Sequence, residues 1–561
     1  MTVLLLIGHA LAAEQFGIGA READALEKKL VDEAINSEIA RQLGKIDSKS
    51  VLNEVGLASE PPKIQEDDWT ISVDQIVIEN DDVTGHGYEE ILRLYQGRRL
   101  AKSALLELIG KLNNYYASLG YVTTLVSLPE KQSTRSGMLV LRVNWGRVAG
   151  FLINSHAPSS LRDKVSLMSA MPGISGQILN MAMVDQIVEN LSTPLKRVKI
   201  VIVPAEAAGY SYLNLIIENG EMLGFSVSAD NSGRAREDGV YKFGLQGSIS
   251  DLLGSNDILS IGAGYRFFDH RDGSAENNFY GSYVVPIGYW SGSLSYSVFN
   301  TRRLYKGYYG VYHNKGSLAE WKGRLSRVIS RGEKGKTFGW IEIGRRKNSD
   351  FFENELVEVS SKTYTQLTVG LGRVMSLLGG GAYADISWST GVPWLSGDKP
   401  PSGPLGPSAK YNVFSSNVSW RRIALNEPMP VIFSLKAAAQ YSEDRLLGKN
   451  KFLIGDPYTV RGFSDYPVSG DKGAYLSGTI ETQIKNSPFA TRLMPRVGLD
   501  VGFTKDNANH SSWGILFSGV IGVSVEVGRA TLLATMGFPL ASRGVENSRG
   551  PVAYADATYK F

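Results

Sequence analysis

The residues from 221 to 561 alternate between apolar or aromatic side chains and small or polar ones. Clusters of Gly, Asn, Asp and Ser divide this region into short segments, such as GFSVSAD, YKFGLQGSIS and ILSIGAGYRF. A period of two places successive side chains on opposite faces of a strand, so each predicted strand has one apolar and one polar face. This pattern predicts a long series of strands and leaves no room for a helical domain in this part of the chain.

The spacing of the turn clusters indicates the kind of β-structure. Taking each cluster as a boundary gives about sixteen strands, with about 21 residues for each strand and its connection. This fits strands of roughly 10 residues that cross a membrane at a tilt. A large soluble β-sandwich or propeller is the alternative, but the region has no blade repeat of roughly 40–50 residues. We therefore expect a membrane β-barrel of about 16 antiparallel strands over residues 221–561.

Two small α/β units precede the alternating region, at residues 69–145 and 146–218. In each unit a strand is followed by two helices and then by two strands, which makes an internal repeat of about 75 residues. The predicted strands are 71–78, 122–128 and 138–143 in the first unit and 148–153, 198–203 and 212–217 in the second, and the predicted helices are 88–95, 102–119, 161–169 and 179–191. Each unit has enough apolar residues for a small core of its own.

The first 68 residues divide into three segments. Residues 1–12 form a short apolar run that ends in Ala-Leu-Ala, which is typical of the end of a signal peptide. Residues 20–44 contain neither Pro nor an internal Gly and predict a helix with a narrow apolar face and an otherwise charged surface. The apolar face includes Leu26, Leu30, Ile35 and Ile39. Such a helix suits a water-filled space and cannot face lipid, and residues 45–68 read as a linker.

Several chemistries are excluded or disfavoured by composition. The chain has no cysteine, so it has no disulfide, zinc ribbon or thiol nucleophile. The net charge of +3 over 561 residues gives no electrostatic footprint for nucleic acid. The six histidines are scattered without metal-ligand spacing, and no GxSxG segment occurs. We expect no cofactor, no metal site and no enzymatic activity. An outer-membrane hydrolase is the rival hypothesis, and an assay of lipase or protease activity distinguishes the two.

The end of the chain is an alternating segment that stops on Phe561, with Tyr559 two residues before it. This ending resembles the assembly signal of bacterial outer-membrane barrels. The Gly that often stands five residues before the end of that signal is Asp556 here. The resemblance implies that the barrel-assembly machinery and the lipid and lipopolysaccharide of the outer membrane are partners of the chain.

A long segment, 446–473, lies between the apparent eleventh and twelfth strands and contains the sequence VRGF. A second short motif, GLDVG, follows about 35 residues later in the apparent thirteenth strand. The residues of the two motifs are Val460, Arg461, Gly462 and Phe463, then Gly498, Asp500 and Gly502. Together they resemble the paired motifs of the outer-membrane polypeptide-transport superfamily. The resemblance implies that the loop folds back into the barrel lumen, where Arg461 pairs with Asp500 on the inner wall.

The order of segments narrows this resemblance. A leader, a charged helix, a linker, two polypeptide-transport-associated (POTRA) domains and a barrel resemble the two-partner-secretion transporters of the haemolysin-activator type. The segment 204–213 is similar to the PGxxxGxSxL pattern of that family, with Ala205 in place of Gly.

The resemblance implies a function. A monomeric outer-membrane pore would recognise one secreted partner, such as an adhesin, haemolysin or contact-dependent toxin, through its periplasmic POTRA domains. The partner would cross unfolded and without ATP, and the helix at 20–44 would plug the resting barrel. Two alternatives stay open: a passive porin, which does not account for the POTRA pair or the VRGF loop, and a barrel-assembly insertase of the same superfamily.

Overall fold

The computed structural model describes residues 27–41, 43 and 70–561, except for 82, 86, 131, 133–136, 194–195, 221, 232–240, 269–273, 308–309, 333, 359, 397–409, 426–428, 447, 464–467, 488–489, 508–510 and 545–549. The predicted signal-peptide remnant 1–12 and linker 45–68 lie outside the described residues. So does the start of the predicted helix 20–44, including Leu26. Within the described residues, no helix has the length and apolar character needed to span a bilayer.

The carboxyl-terminal region is a closed antiparallel barrel of sixteen strands, which confirms the prediction from the alternating pattern. We number them β1 Leu223–Asp230, β2 Tyr241–Ser250, β3 Ile258–Phe267, β4 Ala275–Ile287, β5 Trp290–Gly307, β6 Gly310–Gly332, β7 Gly335–Phe352, β8 Thr363–Leu377, β9 Gly380–Gly391, β10 Asn412–Leu425, β11 Val431–Tyr441, β12 Lys472–Thr482, β13 Ala490–Lys505, β14 Gly514–Val527, β15 Ala530–Arg543 and β16 Val552–Lys560. Two short pieces, Glu355–Leu356 and Ile484–Ser487, extend the β7 and β13 ladders.

The barrel strands have the two faces that the alternation predicts. In β13, Leu499, Val501 and Phe503 are exposed on the outside, whereas Asp500 and Thr504 between and after them are buried on the inside. The apolar side chains thus face lipid, and the polar ones line the lumen. The ring closes where β16 pairs with β1, from Asp556 opposite Asp230 to Lys560 opposite Ser226.

The first α/β unit is built around the strand Met138–Asn144. Gln75–Glu79 pairs with it in parallel and Leu125–Ser127 pairs with it antiparallel. The helices are Glu89–Arg93 and Lys102–Ser118, and the second buries Leu108 and Leu112 in the core.

One prediction for the first unit was wrong. The expected single strand 71–78 is two strands, Thr70–Val73 and Gln75–Glu79, which belong to different sheets. The break falls at Asp74, because the backbone amides of Asp74 and Gln75 both donate to the Gly137 carbonyl. Thr70–Val73 pairs instead with Arg98–Ala101, a strand that the sequence pattern did not indicate.

The second unit repeats the strand order of the first. Tyr210–Gly220 is central, with Arg147–Ile153 parallel on one side and Lys196–Pro204 antiparallel on the other. Its helices, Leu161–Ala170 and Met181–Leu191, begin after well-formed caps: Ser160 and Asp163 make a capping box, and the Asn180 side chain accepts from the Ala182 amide.

The second unit is docked on one rim of the barrel. The Ser169 hydroxyl donates to the Ser255 carbonyl (2.6 Å), the Asn190 amide donates to the Gly288 carbonyl (2.6 Å), and the Ser166 hydroxyl donates to Asn256 (2.7 Å). Asn256 and Gly288 lie in the β2–β3 and β4–β5 turns, so the soluble units and these turns share one side of the membrane.

Candidate functional site

The segment 446–473 folds back inside the barrel and places Arg461 against Asp500 on the inner face of β13. The guanidinium donates two bonds to the carboxylate, from Nε to Oδ2 (2.7 Å) and from Nη2 to Oδ1 (2.6 Å). The Arg461 backbone amide donates a third bond to Oδ2 (3.1 Å). This two-pronged geometry is specific to arginine, because the planar guanidinium matches the carboxylate.

The strand next to β13 completes the site. Arg461 Nη2 also donates to the hydroxyls of Ser477 (3.1 Å) and Thr479 (3.3 Å) in β12, and the Ser477 hydroxyl donates to Asp500 Oδ1 (2.7 Å). The Asp500 side chain is 0% exposed and that of Arg461 is 12% exposed. Each charge therefore has its counter-ion and neutral hydrogen-bonding groups in a site that excludes most water.

Glycines in both motifs allow the loop to lie close to the wall. A Cβ on Gly502 would come 2.8 Å from Val460 Cγ2, and a Cβ on Gly498 would come 2.6 Å from the Gly478 carbonyl oxygen. Gly462 has a φ of +104°, a conformation that favours glycine. It lies against Gly537 of β15, where an added Cβ would be 2.6 Å from the Gly462 nitrogen. The motif glycines thus provide clearance for the loop.

Apolar packing and one further hydrogen bond hold the loop tip. Val460 and Phe463 are buried in a small core with Ile454 of the loop and Leu516 of β14. The Gly462 amide donates to the Tyr554 hydroxyl of β16 (2.9 Å). The loop is therefore attached to the inner wall from β12 round to β16.

A helix, α1 (residues 27–41), lies in the lumen beside this loop. Its charged side chains pair with parts of the barrel that are far apart around the ring. The pairs are Glu27 with Lys322 of β6, Lys28 with Asp456 of the loop (3.0 Å), Lys29 with Asp556 of β16 (3.8 Å), Asp32 with Lys436 of β11 (2.5 Å) and Glu38 with Lys336 of β7 (2.7 Å). Only a helix inside the barrel can reach all of these partners.

The predicted apolar residues of the helix have different environments. Ile35 and Ile39 are buried, whereas Leu30 is only partly buried. Ile39 packs on Gly381 of β9, where a Cβ would come 2.9 Å from Ile39 Cγ2. The helix is thus fixed at one end by a small apolar contact and along its length by ion pairs.

A carboxylate of the barrel wall ties the loop to the helix. Glu320 of β6 accepts from Arg346 of β7 (2.6 Å) and from Lys449 of the loop. Lys449 also lies 3.4 Å from Glu27 of α1. A cavity of about 350 Å³ remains between this network and the wall formed by β6–β12, so the lumen is filled only in part.

A second charge cluster joins α1, the second α/β unit and the barrel rim. Glu189, on the helix Met181–Leu191, accepts from Lys336 (2.9 Å) and from Arg331, and Arg41 of α1 lies 3.8 Å away. Burial alone would raise the pKa of the Glu189 carboxyl, but the charges of Lys336, Arg331 and Arg41 outweigh it and lower the pKa to about 2. Lys336 is shared, because it also binds Glu38 of α1.

The final residues lie at the closure of the ring. The Phe561 amide donates to the Phe225 carbonyl (2.8 Å), and the two rings are 5.3 Å apart. Tyr559 packs edge-on against Phe561, with ring centroids 4.9 Å apart. The two residues of the predicted assembly signal are thus part of the contact between the last and first strands.

The structure brings together Arg461 and Asp500, and it places Val460, Gly462, Phe463, Gly498 and Gly502 around them. The sequence reasoning missed Ser477, Thr479 and Tyr554, which complete the loop site, and Glu189 and Lys336, which form the rim cluster. Ser477 and Thr479 could have been predicted, because alternation along β12 points both side chains into the lumen, and Ser477 is the cross-strand partner of Asp500. Tyr554 and the rim cluster have no sequence signal, since they depend on contacts between distant elements.

Comparison with known proteins gives consistent results. Residues 209–526 match the family model described as haemolysin secretion/activation protein ShlB/FhaC/HecB, and residues 71–146 match the ShlB-type POTRA domain. An outer membrane transporter CdiB from Dickeya dadantii is 26% identical over 440 residues, covering 78% of this chain and 76% of the relative. A hemolysin transporter protein HpmB from Proteus mirabilis is 21% identical, covering 72% and 71%.

The fold also matches solved structures. CdiB from Escherichia coli superposes with a TM-score of 0.85 at 22% identity, covering 97% of this chain and 99% of that one. CdiB from Acinetobacter baumannii superposes with a TM-score of 0.72 at 21% identity, covering 94% and 98%. At these identities the likeness shows that the whole architecture is shared, from the α/β units to the barrel.

Proposed function

Because the chain belongs to the haemolysin secretion/activation family ShlB/FhaC/HecB, we propose that it carries one secreted partner protein through its own barrel. The chain is an outer-membrane transporter of the two-partner secretion type, with its POTRA units in the periplasm. Relatives named for haemolysin transport and for CdiB support a haemolysin or contact-dependent toxin as the class of cargo, with an adhesin as the third option.

The observation that carries the proposal is that two segments of the chain lie inside the barrel and fill part of its lumen. Loop 446–473 is held by the Arg461–Asp500 pair and a small apolar core, whereas helix α1 is held mainly by ion pairs. Such contacts can be exchanged for water, since the lumen is polar, whereas a packed apolar core cannot be opened so readily. Helix α1 acts as a plug that leaves the lumen when the partner enters.

The two α/β units at 69–145 and 146–218 act as the receptor for the partner. Gln75–Glu79 and Leu125–Ser127 are the edges of the three-stranded sheet in the first unit, and Arg147–Ile153 and Lys196–Pro204 are the edges in the second. An edge strand presents unpaired backbone groups that accept an extended peptide. The amino-terminal domain of the partner binds one of these edges before it enters the barrel.

The energy for transport comes from outside the chain. The sequence has no GxxxxGK[ST] segment for nucleotide binding. The partner crosses unfolded, and its folding at the cell surface makes each step of exit irreversible. No enzymatic step takes part, and the detergent-solubilised protein is expected to show no lipase or protease activity.

The test is depletion of the transporter in a strain that also produces a candidate partner encoded in the adjacent gene. We expect the partner to disappear from the medium and to accumulate in the periplasm, while the other outer-membrane proteins keep their levels. A general fall in outer-membrane proteins would instead identify a barrel-assembly insertase. Unchanged export of the candidate, with the transporter gone, would contradict the proposal for that partner.

A further inference from the structure

Three cations lie at one end of neighbouring barrel strands. Lys472 begins β12 and Lys505 ends β13, and the two residues are register partners. Arg543 ends β15 opposite Ile515, and Ile515 is in turn opposite Phe503, two residues before Lys505. The three cations therefore lie within about two residue steps of one another along the strands of the barrel wall.

These side chains face the outside of the barrel. Lys505 continues the outward row of Leu499, Val501 and Phe503, all of which are exposed. Lys472 lies four residues before Leu476 in β12, so the two side chains point to the same face, and Leu476 is exposed. Arg543 is the cross-strand partner of Ile515, which is the partner of Phe503, and both of these residues face outward. None of the three belongs to the lumen, and none has a place in the transport site.

Aromatic rings hold the two lysines in place. Lys472 Nζ lies 5.7 Å from the ring centroid of Tyr441, and Lys505 Nζ lies 5.8 Å from that of Trp513. Trp513 packs edge-on against Phe503, with centroids 5.5 Å apart. Rings at the edge of the apolar band mark the membrane interface of outer-membrane barrels, so the cations lie at the level of lipid head groups.

The acids next to these lysines in sequence turn inward instead. The Asp471 carboxylate accepts from the Leu446 amide (2.8 Å) and the Asn507 amide (2.7 Å), and Asp506 pairs with Lys451 of the inward loop (2.6 Å). Across the described ranges of the chain, none of the three cations has an ion-pair partner. Among the described residues, these three outward positive charges therefore meet the membrane interface without a counter-ion.

The cations lie on the cell-surface side. The second α/β unit binds the β2–β3 and β4–β5 turns, which are at the opposite ends of the strands. Since that unit is periplasmic, the ends that carry Lys472, Lys505 and Arg543 reach the outer leaflet. This step rests on the outer-membrane location and does not need the proposed cargo or plug.

We propose that Lys472, Lys505 and Arg543 bind the phosphate groups of the outer-leaflet glycolipid, lipopolysaccharide. The lysines supply point charges, and the arginine can bind a phosphate with two hydrogen bonds. The acyl chains lie along the exposed apolar residues below, including Phe503 and Leu499. A glycolipid bound here spans β12 to β15, the strands whose inner faces hold the VRGF loop through Ser477, Asp500 and Gly537.

Retention of lipid A by the purified full-length protein tests the site. The protein is washed free of lipid in detergent and incubated with bisphosphorylated lipid A, and the retained lipid is measured by mass spectrometry. We expect the triple variant Lys472→Gln, Lys505→Gln, Arg543→Gln to retain at least about tenfold less than the wild type. Folding is checked by the heat-dependent shift of the barrel on gels, and the single variants Lys472→Gln and Lys505→Gln replace the triple if it does not assemble.

A matched control uses two other outward cations. Arg345 and Lys347 lie on β7 opposite Trp321 and Ala319, are exposed, and make no ion pair or cation–π contact among the residues that the structure describes. The variant Arg345→Gln, Lys347→Gln should retain lipid A within about twofold of the wild type. An equal loss in both variants would overturn the proposal, because it would show a general effect of positive charge around the barrel.

Two further ligands, dephosphorylated lipid A and inorganic phosphate, show which part of the glycolipid the site binds. Lipid A without its phosphates should be retained as poorly by the wild type as by the triple variant, and equal retention of both lipids by the wild type would overturn the site. Inorganic phosphate at the same concentration should not displace the lipid. Displacement by inorganic phosphate alone would show a simple anion site and contradict the glycolipid assignment.

Discussion

Arg461 and Asp500 neutralise each other at a buried point of the barrel wall. Removing one partner of a fully buried pair costs about 3–5 kcal/mol, because the other charge is left without compensation. The loss is smaller here, because the Arg461 side chain keeps 12% of its surface exposed to the lumen. We expect Arg461→Ala and Asp500→Ala each to reduce secretion at least about tenfold while the barrel still assembles.

The double variant distinguishes a pair from two independent residues. Because the two side chains act as a unit, the double Ala variant should be no worse than either single one. Arg461→Lys should also fail, since lysine lacks the planar fork. The control is Arg492→Ala, which removes an exposed ion pair (3.5 Å) at the other end of the same strand. Secretion is normalised to the amount of barrel in the outer membrane, and additive defects would contradict the pairing.

Gly537 allows a second test of the loop site that leaves all charges in place. Its Cβ would come 2.6 Å from the backbone nitrogen of Gly462, and backbone cannot move aside as a flexible side chain can. Gly537→Ala should therefore detach the loop tip, raise its susceptibility to protease added from outside, and lower secretion. Gly478→Ala on β12 is the control, because its Cβ has a neighbour only at 3.9 Å. Equal behaviour of the two variants would show that this close approach is unimportant.

At the level of single residues, sequence reasoning gave specific predictions only where a motif or a period marked the position. The VRGF and GLDVG segments identified Arg461 and Asp500 as partners before any contact was known. Tyr554 could not be predicted, because no motif marks it in the sequence. Its hydrogen bond with the Gly462 amide depends on how β16 closes the ring. Gly537 could not be predicted either, because its importance depends on the close approach of Gly462 in the folded barrel.

Helix α1 is the element whose removal should have the largest electrical effect. It fills part of the lumen and pairs with β6, β7, β11, β16 and the inward loop. We expect deletion of residues 20–44 to raise single-channel conductance in planar bilayers. Deletion of the linker 45–68 alone, with the helix retained, is the control for chain length. An unchanged conductance without the helix would show that it does not block the pore.

The rim cluster predicts how the docking of the second α/β unit and of α1 on the barrel depends on pH. The Glu189 pKa, lowered to about 2, means that this carboxylate stabilises the docked state at any pH above its ordinary value near 4.5, and that the stabilisation is lost as pH falls from there towards 2. Spontaneous openings in planar bilayers should therefore be equally frequent at pH 7 and pH 5 and should increase below about pH 4. Glu189→Gln should open more often at pH 7 and lose most of the dependence. A rise in wild-type openings between pH 7 and pH 6 would contradict this role.

Element types were predictable to different degrees. The charged surface of α1 predicted a polar environment, but its ion-pair partners are contributed by strands spread over more than 200 residues and carry no local signal. The two soluble units were predictable as a repeat, although the break at Asp74 was not, because it is caused by hydrogen bonds to the distant Gly137. Sixteen strands could be counted, since each turn cluster marks a boundary.

For the whole molecule, the proposed function assigns separate tasks to the soluble units and the barrel. A truncated chain that keeps a signal peptide and begins near residue 219 should still insert as a barrel, because β1–β16 close without help from the units. It should secrete nothing, since the receptor for the partner is gone. The control is the same barrel preceded by the two corresponding units of E. coli CdiB, which should insert equally well. Secretion by the truncated chain would refute recognition by the units.

The spread of the α1 contacts around the lumen has a consequence for how these transporters diversify. A helix that matches five separate places in one barrel cannot be exchanged as a free module, because a charge pattern from another lineage would meet the wrong neighbours. Recombination that joined the amino-terminal region of one transporter to the barrel of another would deliver a pore that does not shut, and would harm the cell before any cargo was made. Helix, second unit and barrel should therefore be inherited as one block, because Glu189 of that unit pairs with both of the others, while the first unit remains free to follow a new partner.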